Sequence, residues 1–62
     1  MPKFEFTAFT SAGKRAGHTE AANVDEAVLN VDDAAKKAGD GECKRVVIDG
    51  VTHSPLMTRW HR

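Results

Sequence analysis

This chain has little of what usually marks a small protein for a particular task. Of its 62 residues one is cysteine, so no internal disulfide can staple the fold, which fits a reducing compartment. Nine Lys and Arg balance nine Asp and Glu, so no global field draws the chain to a polyanion or an anionic membrane. The aromatics are three Phe and one Trp, without Tyr, and a core of this size has to be built largely from Val and Ala. No stretch approaches the roughly 20 apolar residues of a membrane span, and the opening Met-Pro-Lys-Phe-Glu-Phe is not a signal peptide. There is no repeat, low-complexity tract or linker. These absences lead us to expect one soluble cytoplasmic domain over residues 1–62, a complete small gene product, near the lower size limit for folding without metals or oligomerisation.

The clearest feature present is the stretch from Asn23 to Gly39. Val24, Ala27, Val28, Val31, Ala34, Ala35 and Ala38 recur at steps of three and four, which places them on one stripe of a helix. Asn23 and Glu26 have capping-box spacing at its start, and Gly39 supplies a left-handed stop. The opposite face carries Glu26, Leu29, Asp33 and Lys36, with Asp32–Lys36 and Asp33–Lys37 spaced for ion pairs. Leu29 therefore points away from the core stripe. It is either a solitary surface leucine or an apolar anchor for a partner, rimmed by charge.

Before the helix, Phe4, Phe6 and Ala8 alternate with Lys3, Glu5 and Thr7, the period of a half-buried strand. Phe9 breaks this alternation, which predicts either a bulge or an aromatic on the second face. Ser11 to Lys14 is a turn signal, and Lys14 to Ala22 reads as the returning strand, with Gly17 marking a bulge or a close passage of other backbone. After the helix, Lys44 to Ile48 is an apolar strand. The next turn falls either at Asp49-Gly50, a type I′ signal, or at His53-Ser54-Pro55. Leu56 to His61 reads as a last strand, with Leu56 and Trp60 on one face. The expected fold is α+β, a β-β-α-β-β antiparallel sheet packed on one helix. Phe4, Phe6, Val46, Ile48, Leu56 and Trp60 would provide most of its core volume.

Catalytic apparatus is not visible. His18, His53, His61 and Cys43 are the soft metal ligands, and their spacing matches no zinc pattern. Asp32 and Asp33 are adjacent on a helix and point about 100° apart, unsuited to sharing a proton or an ion. Cys43 reads as a buried structural thiol. Gly39-Asp40-Gly41 follows the helix and so meets its negative end, the wrong end for a phosphate. No cofactor, metal or enzymatic activity is expected. The alternative with some substance is single-stranded nucleic acid, bound through Trp60 with Lys44, Arg45, Arg59 and Arg62. The local excess is slight, four basic against three acidic residues from position 39 onward.

Two resemblances bear on function. Phe4-x-Phe6-x-Ala8, Gly13, Gly17-His18-Thr19-Glu20-Ala21 and Asn23-Val24-Asp25-Glu26-Ala27 resemble the N-terminal repeat unit of the inner-membrane platform proteins of type II secretion and type IV pili. The platform's membrane spans are missing, so that role does not carry over. The whole layout, one capped helix between hairpin strands and an aromatic-basic tail, is similar to that of short anti-CRISPR proteins of phages and mobile elements. It implies a stoichiometric inhibitor that sterically occludes a host protein or ribonucleoprotein complex. The candidate partner-binding residues are Phe9, Lys14, Arg15, Leu29, Arg59 and His61, on the outer sheet surface and the helix face. Such a basic patch suits an acidic protein surface or a guide-RNA backbone. A third expectation is a homodimer that hides Phe9 or an edge strand.

Overall fold

The computed structural model describes residues 1–60. The elements in chain order are β1 (Lys3–Thr10), β2 (Gly13–Glu20), α1 (Val24–Lys37), β3 (Cys43–Ile48), β4 (Val51–His53) and α2 (Pro55–Trp60). The strands form one antiparallel sheet in the order β2-β1-β3-β4, with α1 across one face, and the fold is α+β. Both helices lie among the described residues far short of the length and apolarity needed to cross a membrane.

The alternation in β1 sends Phe4, Phe6, Ala8 and Thr10 toward α1. Phe6 and Ala8 stand opposite Ile48 and Val46, so the two central strands present one continuous apolar surface. Against it α1 sets Ala27, Val28, Val31 and Ala35, and the core closes with Ala21 and Cys43, while Phe4, Phe6 and Val24 pack at its margin. Small helix residues let α1 approach the sheet closely. The largest fully buried side chains are Ile48, Val28 and Val46, and each contributes on the order of 1.5–3 kcal/mol by leaving water.

The ends of α1 follow from its sequence. Asn23 Oδ1 accepts the Glu26 N–H at 2.9 Å, and the Glu26 carboxylate accepts a backbone N–H in return, that of Ala22 at 3.3 Å. At the other end Gly39, at φ 78, lets Asp40 N–H reach the Ala35 carbonyl and Gly39 N–H the Lys36 carbonyl, the paired bonds of a Schellman stop. Asp25 and Glu26 in the first turn and Lys36 and Lys37 in the last complement the helix dipole. Asn23→Ala should lower stability by about 1 kcal/mol in a urea titration, because the Glu26 N–H would then lack a protein partner.

Both readings of Phe9 hold together. Phe9 lies on the face turned away from α1, and the β1–β3 register shifts between Phe9 and Thr10, so that Lys44 is the extra residue of a bulge on β3. Gly17 is approached by a ring rather than by backbone: a Cβ there would sit 3.2 Å from Phe6 Cζ. The second hairpin turns at Asp49-Gly50, with φ of 53 and 79, the two positive values of a type I′ turn.

The segment expected as a final strand is instead a helix. Ser54 caps it, its Oγ accepting from Met57 N–H at 3.4 Å and its carbonyl from Thr58 N–H at 2.9 Å, with Pro55 at the first helical position where its missing N–H costs nothing. Two consequences overturn the expected core. Trp60 and Leu56 are not packed inside but are 81% and 66% exposed. Leu29, expected among solvated charges, is only 7% exposed, because α2 lands on that side of α1. The buried arc of α1 thus takes in Leu29 and Asp32, while Ala34 and Ala38 remain exposed.

Candidate protein-binding site

The short helix α2 carries its residues in an unusual arrangement. Positions 56, 57 and 60 share a face, since three and four residue steps return to the same side of a helix. Leu56, Met57 and Trp60 on that face are all exposed, Met57 by 51%. Pro55 is buried and Thr58 half-buried, while Arg59, the one charged residue of the helix, is 41% exposed but turns its guanidinium back toward α1. Apolar groups face water and the cation faces the protein.

Arg59 is what fastens this helix to α1. Its Nη2 donates to Asp32 Oδ2 and to Asp33 Oδ1, each at 2.8 Å, so one nitrogen spans two neighbouring carboxylates. Lys36 Nζ adds a longer contact to Asp32 Oδ2 at 3.4 Å. The hydrogen bond to Asp32, then that to Asp33, push the Arg59 pKa further above its ordinary value. Asp32, 4% exposed, is thus a buried anion with cations on two sides. The expected ion pair to Lys36 is present, but Asp32 is not on a solvated face. Leu29 and Arg59 line one hollow between the helices. A second hollow, of about 110 Å³, lies at the foot of α2 between Cys43, Pro55, Leu56 and Asp32.

The other expected contact residues scatter. Phe9 and Lys14 are cross-strand partners on the outer sheet face, where Arg45, also paired with Phe9, stacks its guanidinium over the ring at 4.3 Å. Arg15, the cross-strand partner of Ala8, is on the opposite face, with its Nη2 at 3.2 and 3.1 Å from the two Asp40 carboxylate oxygens. Leu29 is buried, and Arg59 is committed to Asp32 and Asp33. Of the nucleic-acid set, Arg45 covers Phe9, Lys44 occupies the bulge and Trp60 projects from α2, so that Arg45 and Arg59 each have a partner within the protein. His61 and Arg62 lie outside the described residues. Leu56 and Met57 were not among the candidates, although Ser54-Pro55, a cap followed by a first-turn proline, is the signal that turns them outward.

Among the described residues no cluster of His, Cys, Asp and Glu is placed to hold a metal ion. Cys43 is buried, donating weakly to the Arg45 carbonyl at 3.7 Å. Burial, and then the nearby Asp32 carboxylate, push its thiol above the ordinary value. Since the folded protein holds this proton more tightly than the unfolded chain, the stability it confers is complete below the unfolded thiol pKa and declines as pH rises toward the folded one. We expect slow alkylation of native Cys43 by iodoacetamide and an alkaline loss of stability that Cys43→Ala reduces; rapid native alkylation at neutral pH would contradict this. No family model, no curated protein and no solved structure matches the chain, so its function has to be read from this geometry.

Proposed function

We propose that the protein works by stoichiometric binding to a partner protein, with Leu56, Met57 and Trp60 as the core of its contact surface. The supporting observation is the inversion of α2, in which the arginine is turned inward onto two aspartates and the large apolar side chains are turned out. A Trp with apolar neighbours on a rigid support is the composition of a binding hot spot. Each exposed apolar group costs free energy in water that a complementary groove would recover. The target implied by the overall layout is a host defence complex, occluded inside the host cell by a phage or mobile-element protein.

Direct single-stranded nucleic-acid binding is the weaker reading. Trp60 is free to stack, but Arg59 beside it is neutralised by Asp32 and Asp33, and the surrounding field has little excess positive charge. One experiment separates the two. The tagged protein is used to recover CRISPR surveillance complexes from bacterial lysate, with and without nuclease, alongside the Leu56→Asp/Trp60→Asp variant. A multisubunit complex that survives nuclease and is lost with the variant supports protein binding. Recovery that disappears with nuclease transfers the assignment to nucleic acid, and recovery indifferent to the variant removes α2 as the site.

A further inference from the structure

Among the described residues β2 is the longer of the two edges of the sheet. The sheet ends on one side at β4, three residues long and continued directly toward α2, and on the other at β2, eight residues long. Among the described residues no proline, bulge or covering element protects β2, except at its end, where Asn30 of α1 reaches the Glu20 carbonyl. Ala21 N–H donates to the Pro2 carbonyl at 3.0 Å, so odd-numbered residues of this strand direct their backbone groups to β1. Lys14, Ala16, His18 and Glu20 therefore direct theirs outward.

We propose that β2 pairs with β2 of a second copy, antiparallel about a two-fold axis at Gly17. A two-fold axis perpendicular to the sheet keeps each face continuous only when partner positions sum to an even number. Among such registers the one centred on Gly17 uses all four outward residues. It sets Ala16 against His18 of the other copy, and Lys14 against Glu20 of the other copy, each pair twice over. No other register of this kind brings Lys14 opposite Glu20. Both pairs are outward-facing in backbone, and Lys14 and Glu20 are opposite in charge, the combination that stabilises an antiparallel ladder. Gly17 at the axis lacks a side chain, which leaves room where the two strands approach most closely. Glu20 limits the ladder at its ends: its carbonyl already accepts Asn30 Nδ2 at 3.2 Å, leaving one lone pair for the partner's Lys14 N–H. The product is a continuous sheet of eight strands with both α1 helices on one side. Its two α2 surfaces lie at opposite ends, so dimerisation and partner binding use different residues.

Sedimentation equilibrium from about 5 to 500 μM tests this, with circular dichroism confirming that each variant is folded. The wild type should show a concentration-dependent shift toward twice the chain mass. Lys14→Glu and Glu20→Lys each convert two attractive pairs into repulsive ones, and each should weaken the dimer at least about tenfold. The combined Lys14→Glu/Glu20→Lys protein should recover wild-type association, a result specific to this register. Trp60→Ala should leave association unchanged. A wild type that stays at one chain mass throughout would overturn the proposal. So would single variants that associate normally, a combined variant that stays weak, or a dimer abolished by Trp60→Ala.

Discussion

Trp60→Ala is expected to weaken binding to the proposed partner protein by about thirtyfold or more, equivalent to roughly 2 kcal/mol or above, while leaving the melting temperature essentially unchanged. The two halves of this result have one origin. Trp60 is 81% exposed, so truncating it removes almost no contact from the folded chain, and whatever it contributes must come from a surface outside the molecule. Leu56→Asp should act in the same direction, since a carboxylate would be carried into the desolvated centre of the contact. Titration calorimetry against the recovered partner and thermal unfolding of the free protein provide both readings. Because Trp60 is the only tryptophan, its fluorescence reports directly: emission should be that of a water-exposed indole in the free protein and shift to the blue on binding. A large fall in melting temperature with unchanged affinity would instead place Trp60 in a structural role.

Arg59→Ala should have the opposite signature, a melting temperature lower by roughly 10 °C and an α2 that no longer stays docked on α1. The mutation strands Asp32, which is 4% exposed and would retain only the Lys36 contact at 3.4 Å. It also uncovers Leu29, which α2 shields. Hydrogen exchange should localise the loss, with Thr58 N–H, bonded to the Ser54 carbonyl, exchanging faster while the β1 and β3 amides keep their order of protection. Replacing both charges, Asp32→Leu with Arg59→Met, should recover most of the lost stability, because an apolar pair does not have to offset the desolvation of a buried anion. The contribution of Arg59 should not be lost through its own deprotonation in any ordinary alkaline buffer. Its pKa is raised in the folded state, so its stabilisation is complete below the unfolded guanidinium value and declines only above it. Equal melting temperatures for Arg59→Ala and wild type would show that the ion pairs to Asp32 and Asp33 do not hold α2 in place.

The contrast between these two neighbours also shows how far the chain could be read without coordinates. The limits of α1 were legible because its signals are local: a cap and an acid three residues apart, a glycine after the last turn, and a period sustained over four turns. The Asp49-Gly50 turn was legible only as one of two possibilities beside His53-Ser54-Pro55, and its two positive φ values decide between them. The C-terminal segment was not, since residues 56 and 60 share a face in a helix and in a strand alike, and six residues are too few for the periods to diverge. The Ser54-Pro55 cap carried the missing information, but Pro55 equally suits a strand boundary. With Leu56 to His61 read as a strand, the fate of Leu29 could not be recovered, because its burial depends on a helix that begins 26 residues later, at Pro55. Asp32 followed the same course. The candidate site was therefore visible only in part: Arg59 and Trp60 were singled out, but which of them faces inward is decided by Asp32 and Asp33, through a contact between distant parts of the chain.

The position of β1 in the middle of the sheet sets the order in which the molecule can assemble. The β1–β2 and β3–β4 hairpins each close over a two-residue turn, at low entropic cost. The seam between β1 and β3 joins Phe6 to Ile48 and Ala8 to Val46, and it cannot form until α1 has been looped out between them. The slow step in folding should be the zipping of this one seam over a preformed helix. Substitutions along it, Val46→Ala first among them, should slow refolding, whereas changes in α2 should act chiefly by hastening unfolding. During synthesis β1 remains without one of its neighbours until β3 leaves the ribosome, and Phe6 and Ala8 lack Ile48 and Val46 for that interval.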